Sequence, residues 1–370
     1  MSSDAITPPS SPGRVTWGPP MGARQATFEG TQPVRERHQI DEQRLAEWLA
    51  VQIPDFRGPL VVRQFKGGQS NPTYQLAAGG RRWVLRRKPP GALLPSAHAI
   101  EREFRVLAAL SSTGFPVPRP CALCEEAELL GTPFYVMEHI EGRVLWEPTL
   151  PDLPPAERFA IYDSLNETLT RLHALDPASV GLSEFGRAGN YFARQIARWT
   201  KQYVASRTES IPEMERLGEW LAATVPAEVP PRIVHGDFKL DNVILHPHEP
   251  RVVAVLDWEI STLGDPLGDF TYLCLPWYPN GEFAALDLAH HGLPALDEYQ
   301  AAYCRRTGAP PLERSAWYAA YQLYRGACIA QGIAGRVRDG TATSDHAAVS
   351  AAAVRALSRA ALDIARTLGA

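Results

Sequence analysis

Two short apolar runs lie close together in the second half of the chain, PRIVHGDFKLDN at 231–242 and VVAVLDWE at 252–259. Runs of Val, Ile and Leu this short, bounded by polar residues, read as buried strands. Each delivers acidic or amide side chains at or just past its end: Asp237 and Asn242 from the first, Asp257 from the second. The fold has to accommodate two strands that carry polar groups into one neighbourhood. An acidic strand end is also an ordinary turn signal, so the residues around the runs decide between the two readings.

Around these runs the pattern is helical. PPAERFAIYDSLNETLTRLHAL, NYFARQIARWTKQYV, ERSAWYAAYQLYRGACIAQGI and DHAAVSAAAVRALSRAALDIARTL all repeat apolar residues three and four apart. Upstream, PLVVRQFKGGQSNPTYQLAAGGRRWVLRRK alternates β-favouring residues with glycine turns and predicts antiparallel strands. A helix, AHAIEREFRVLAAL, and a strand pair leading to FYVMEHIEG follow. Asp41 is placed to cap a helix carrying Leu45, Trp48 and Leu49. At 370 residues the chain is longer than one core usually grows, so two lobes are expected. The expected organisation is a flexible leader over 1–36, rich in Pro, Gly, Ser and Thr, a β-rich lobe over 37–140 with one key helix, and a mainly helical lobe over 141–370. The fold class is α+β, with a cleft between the lobes for chemistry.

A net charge of −4 lacks the basic excess of nucleic-acid binders. There is no secretory start and no uninterrupted apolar run of membrane-spanning length, so a cytoplasmic protein without nucleic-acid or membrane partners is expected. Oligomeric state is not legible. Cys121 and Cys124 form a CxxC, but no second pair or nearby His pair completes a metal site, and the five cysteines read as ordinary thiols.

In AHAIEREFRVLAAL the apolar stripe is Ile100, Phe104, Leu107 and Leu110; Glu103 falls inside it and Glu101 points away. A buried carboxylate needs a cation. In WVLRRK, Val84 and Arg86 share a face under period-two alternation, which makes Arg86 the preferred partner of Glu103. The other reading leaves Glu103 at the stripe edge, reaching water. Between the first two strands, FKGGQSNPTY places Gly67, Gly68, Ser70 and Asn71 where backbone N–H groups can meet phosphate oxygens, or where a hairpin merely turns.

HGDFKLDN resembles the H-G-D-x-x-x-x-N loop of the aminoglycoside phosphotransferase superfamily, small-molecule kinases with a two-lobed protein-kinase-like fold, and VLDWE resembles its metal-binding segment. VLRRKPPGALLPSAHAIEREFRVLAAL, YVMEHIEG, RQIARWTKQY and LDWEISTLGDPLGDF look like the branch related to the kinase-like domain fused to some acyl-CoA dehydrogenases. The resemblance implies ATP as phosphate donor with Mg2+. Asp237 then accepts or orients the hydroxyl proton, and Asn242 and Asp257 hold the metal. The adenine contacts carry over to the Glu138 carbonyl and the Ile140 N–H, with Met137 lining the pocket. Arg86 stands where many relatives have lysine, keeping the charge with a bidentate fork. Lys239 either reaches the transferred phosphate or is a solvated loop lysine. His235 is expected to support the loop, and Asp269 to brace it by accepting backbone hydrogen bonds.

Arg194, Arg198 and Lys201 recur at helical spacing in NYFARQIARWTKQY and read either as a binding stripe for an anionic acceptor or as a solvated face. With the resemblance, the first reading favours a hydroxyacyl-CoA or hydroxy acid as acceptor. Aminoglycoside, amino alcohol and sugar kinases, and a catalytically silent nucleotide-binding module, are the alternatives.

Overall fold

The computed structural model describes residues 23–67, 71–89, 99–187, 189–278, 288, 291–340 and 347–370. The first part of the chain builds one antiparallel sheet from β1 (Thr31–Gln32), β2 (Val61–Phe65), β3 (Thr73–Ala78), β4 (Arg81–Arg87), β5 (Pro120–Cys124) and β6 (Phe134–Glu138), in the order β1-β2-β3-β4-β6-β5. Strand β3 alternates half-buried and buried residues, as one covered face requires. β4 is buried from Trp83 through Arg87, because the sheet packs helices on one face and the cleft on the other. Its register pairs Arg86 with Thr73 on one side and Tyr135 on the other.

Helix α1 (Arg24–Phe28) precedes the sheet, α2 (Glu42–Gln52) is capped by the Asp41 side chain accepting from Arg44 N at 3.0 Å, and α3 (Ile100–Ser111) crosses behind β5 and β6. In α3 the buried stripe is Ile100, Glu103, Val106, Leu107 and Leu110; Phe104 stands at its edge against Tyr135. A short helix, α4 (Ala127–Leu130), joins β5 to β6.

The expected leader begins to fold well before residue 37. α1 is helical, and β1 pairs with β2 through Thr31↔Phe65 and Gln32↔Gln64. Low apolar content misleads there because backbone pairing and two side chains, rather than a packed face, hold the segment. Residues 1–22 of that stretch lie outside the described residues, as do Gly68 and Ser70.

The second part of the chain is the helical lobe: α5 (Pro155–Ala174), α6 (Tyr191–Ser206), α7 (Pro212–Ala223), α8 (Leu267–Leu273), α9 (Leu296–Thr307), α10 (Ser315–Arg338) and α11 (Ala347–Arg366). A second core cluster joins α6, α7, α10 and α11 through Phe192, Trp199, Leu217, Trp317 and Leu357. Inserted among the helices are two small antiparallel ribbons: β7 (Arg232–Val234) with β10 (Thr262–Gly264), and β8 (Val243–Leu245) with β9 (Val252–Val255). Residues 235–242 connect β7 to β8, and 256–261 connect β9 to β10. Asp237, Asn242 and Asp257 therefore emerge at one end of the ribbon pair. Among the described residues no helix is long and apolar enough to cross a membrane.

Candidate active site

The loop after β7 is held from behind. Asp269, fully buried on α8, accepts from His235 N at 2.5 Å and Gly236 N at 2.6 Å, matching the expected bracing role. Gly236 has φ +89°, and a Cβ there would lie 3.0 Å from the Ile260 carbonyl oxygen, so the turn needs glycine. His235 donates from Nε2 to Leu256 O at 2.7 Å and accepts at Nδ1 from Asp237 N at 3.2 Å. The ring thus ties the two loops together, the supporting role expected of it.

Asp237 is three-quarters covered. Its carboxylate accepts from Asn242 Nδ2 at 2.8 Å, and the same amide nitrogen donates to Asp237 O at 2.9 Å. Lys239 Nζ lies 3.5 Å from Asp237 Oδ2 and 3.2 Å from Asp241 Oδ2. Burial pushes the Asp237 pKa up, but the Lys239 ammonium, the Arg325 guanidinium and a hydrogen bond from Tyr272 outweigh it and leave the carboxyl below its usual range. The two carboxylates in turn hold the Lys239 ammonium protonated against its burial.

Asp257 adopts φ +63°, a left-handed conformation that costs a β-carbon-bearing residue about 1–3 kcal/mol. Its carboxylate is fixed by Arg86 Nη2 at 2.5 Å. Arg86 Nε lies 2.7 Å from Glu103 Oε2, a charge contact without hydrogen-bond alignment. Glu103 is completed by Tyr135 Oη at 2.9 Å and Asn71 Nδ2 at 3.1 Å. Burial raises the Glu103 pKa against the pull of Arg86, while the surrounding carboxylates keep Arg86 charged despite its burial. Arg86 and Glu103 thus meet as expected. The Asn71 side chain, as distinct from its backbone N–H, is engaged on carboxylates: its amide nitrogen bridges Glu103 Oε1 and Glu259 Oε2, the latter 3.0 Å away.

Two cavities of about 500 Å³ each flank these groups. The sheet-side cavity is lined by Gly67, Val84, Arg86, Met137, Glu138 and Ile140. The helix-side cavity is lined by Asp237, Lys239, Tyr272, Leu275, Arg325 and Ile329. Asp241, Asn242 and Asp257 line both.

Arg194, Arg198 and Lys201 line neither cavity. The face of α6 that packs on α10 carries Phe192, Ile196, Trp199 and Tyr203, so a stripe offset by two residues turns outward. Arg194 donates to Arg187 O at 2.7 Å, Arg198 sits over Trp199, and Lys201 borders a separate groove between α6 and α7. The stripe therefore lies outside both cavities, on the outward face of α6. Sequence reasoning missed Arg325, which donates to Gly236 O at 2.7 Å behind the loop. Its signal was a lone arginine in the most apolar stretch of α10. Glu259 and Asp241 were also missed, both acidic neighbours of residues already singled out.

A crystal structure from Ralstonia eutropha JMP134, provisionally described as an aminoglycoside phosphotransferase, matches with TM-score 0.80 and 45% identity, covering 89% of this chain and 99% of that one. A thermostable mutant of aminoglycoside phosphotransferase APH(4)-Ia, in ternary complex with ADP and hygromycin B, shares the fold at TM-score 0.57 and 18% identity over 86% of this chain and 98% of its own. Acyl-CoA dehydrogenase family member 10 of Mus musculus is 44% identical over 346 residues, which are 92% of this chain and 32% of that protein. The chain spans less than half the length of the curated relatives it matches. The family model for the phosphotransferase enzyme family (APH) matches residues 61–317. With the catalytic-loop geometry and the two-lobed protein-kinase-like fold in place, the chain belongs to the phosphotransferase enzyme family and is a small-molecule kinase.

Proposed function

We propose that the sheet-side cavity takes ATP, the helix-side cavity takes a hydroxyl-bearing small molecule, and Asn242 and Asp257 hold magnesium between them. The observation behind this reading is that these two residues line both cavities, with Arg86 on the sheet side and Asp237 and Lys239 on the helix side. The related phosphotransferase that binds ADP and hygromycin B supports the pairing of ligands. The Glu138 carbonyl, the Ile140 N–H and Met137 would receive adenine, and Gly67, Gly68 and Ser70 would face the phosphates with Arg86. The lobes would divide after Ile140.

The donors suit magnesium. Asn242 has its amide nitrogen engaged on Asp237, which leaves the amide oxygen for a cation, and Asp257 adds a carboxylate. Among the described residues there is no cluster of three or more His, Cys, Asp or Glu arranged for a metal, so phosphate oxygens and water would complete the shell, as magnesium commonly requires. The ion would supply charge neutralisation on the phosphates. Asp237, kept ionised by Lys239 and Arg325, accepts the hydroxyl proton as the acceptor oxygen bonds to the γ-phosphorus and the bond to ADP breaks. Asn242 and Tyr272 aim its carboxylate, and Lys239 offsets charge on the moving phosphoryl group.

For the acceptor we infer a hydroxyacyl-CoA or a hydroxy acid. Leu273, Leu275, Pro276 and Ile329 give the helix-side cavity an apolar wall suited to an acyl chain, with Lys239 and Arg325 for an anionic group. A second reading, an amine-bearing acceptor such as an aminoglycoside, draws on Asp241 and Glu259 in the same cavity. ADP formation measured with each class separates them: the first reading expects higher kcat/KM for hydroxyacyl-CoA or hydroxy acids, and preference for the aminoglycoside overturns it.

A further inference from the structure

We infer that residues 24–32 are a strap that closes the catalytic cleft, with Phe28 and Trp146 as the aromatic partition between the donor and acceptor cavities. The strap lies outside residues 61–317, which the family model matches. It is tied down at both ends. At one end the Gln25 side chain clamps the backbone of the segment after β6, donating to Val144 O at 3.0 Å and accepting from Trp146 N at 3.0 Å, and Arg24 N donates to Glu147 Oε1 at 3.1 Å. At the other end Gly30 O accepts from Lys66 N at 3.1 Å, and β1 adds to the edge of β2 immediately before the Gly67 turn.

Between these anchors the Phe28 ring packs on Trp146 with centroids 4.8 Å apart. Both rings line both cavities, a property they share with Asp241, Asn242 and Asp257. A Cβ on Gly67 would lie 2.8 Å from the Trp146 ring, so the glycine turn fits against the indole. The strap therefore couples three parts: the glycine turn, the connection after β6, and the boundary at which phosphate would pass from one cavity to the other. An apolar pair at that boundary covers the transfer path, and water exclusion is what separates a kinase from an ATPase.

This inference rests on the ATP reading of the sheet-side cavity. When the partition is opened, a water oxygen takes the place of the acceptor hydroxyl: it bonds to the γ-phosphorus as the bond to ADP breaks, Asp237 takes its proton, and ADP and inorganic phosphate leave. Phe28 and Gln25 are positioning residues here, since neither supplies a reacting atom.

The test uses the full chain with Phe28→Ala, Phe28→Tyr and Gln25→Ala. ADP and phosphorylated acceptor are counted together, and the ATP KM and calorimetric ADP affinity are measured alongside. Phe28→Ala and Gln25→Ala should raise the KM for ATP about fivefold to tenfold, the scale of a lost aromatic contact, and release ADP in excess of phosphorylated acceptor. Phe28→Tyr should restore coupling. Wild-type ADP affinity, KM and stoichiometry in both truncating variants overturn the strap and leave the kinase reading intact. A wild-type protein that binds no adenine nucleotide overturns both.

Discussion

The sheet-side cavity is walled by β2, β4 and β6, whose side-chain directions follow from strand register, whereas the helix-side cavity is walled by α8, α10, α11 and the 275–277 turn. Equal in volume, they differ in how position is set. On the sheet side Arg86 is fixed by its pairing to Thr73 and Tyr135 and by Glu103 from α3, so a charge buried among three carboxylates cannot drift. On the helix side Asp237 and Lys239 come from one braced loop and Tyr272 and Arg325 from α8 and α10, while Leu273, Leu275, Pro276 and Ile329 make an apolar wall that carries no register. If the sheet side takes the nucleotide and the helix side the acceptor, the first arrangement suits a ligand that never changes, and the second can be re-lined without disturbing the chemistry.

If the loop between the cavities performs the transfer, Asp237→Asn should lower kcat by about a thousandfold, within the range for loss of a positioned base, while ADP affinity stays near wild type. Asp257→Ala should abolish turnover and weaken Mg-ADP binding as well. Calorimetry beside a steady-state assay distinguishes the two, and wild-type turnover by Asp237→Asn would remove the base assignment. Because Asp237 sits below its usual carboxylate range, the acid limb of kcat/KM that it contributes should fall below about pH 4. A rate that instead fell off between pH 6 and 7 would assign the proton to another group.

The next contrast lies within α3. Glu103 is buried against Arg86, Tyr135 and Asn71, so Glu103→Ala removes one of the guanidinium's three carboxylates, leaves the Tyr135 hydroxyl without its acceptor and should cost about 1–3 kcal/mol. Glu101 is exposed two residues away, and Glu101→Ala should stay within about 0.5 kcal/mol of wild type. Urea unfolding of the two variants reads this directly. Equal small effects would show that the ion pair contributes nothing on the sheet side.

What could be read from sequence follows the same division. Glu103 and Arg86 were legible because helix and strand periodicities fix a face locally, and Asp237, Asn242 and Asp257 because the two ribbons are short and close in sequence. The bridge from Asn71 to Glu259 spans 188 positions, the clamp from Gln25 to the 144–146 backbone about 120, and Arg325 reaches Gly236 across 89. No local pattern announces these partners, although the lone Arg325 in an apolar stretch of α10 was itself a signal. Phe28 and Trp146 were hidden for a further reason: each is a single aromatic residue outside any periodic pattern, and their meeting depends on where β1 joins the sheet.

The smallest expected effect concerns α6, the helix whose charge pattern pointed most directly to an acceptor. Arg194, Arg198 and Lys201 lie on the side away from Phe192, Ile196 and Trp199, and none lines the cavity that holds Asp237. A cation there projects from the face of α6 away from its packed side, where solvent and salt screen its charge. Replacing all three with glutamine should therefore change the KM for an anionic acceptor by less than about twofold, whereas Arg325→Met, which removes the charge beside Asp237 and Tyr272, should move it further. Measuring both variants at low and high salt sharpens the contrast. A large, salt-sensitive rise in acceptor KM for the triple variant would mean that an extended anionic acceptor reaches out of the helix-side cavity and along α6.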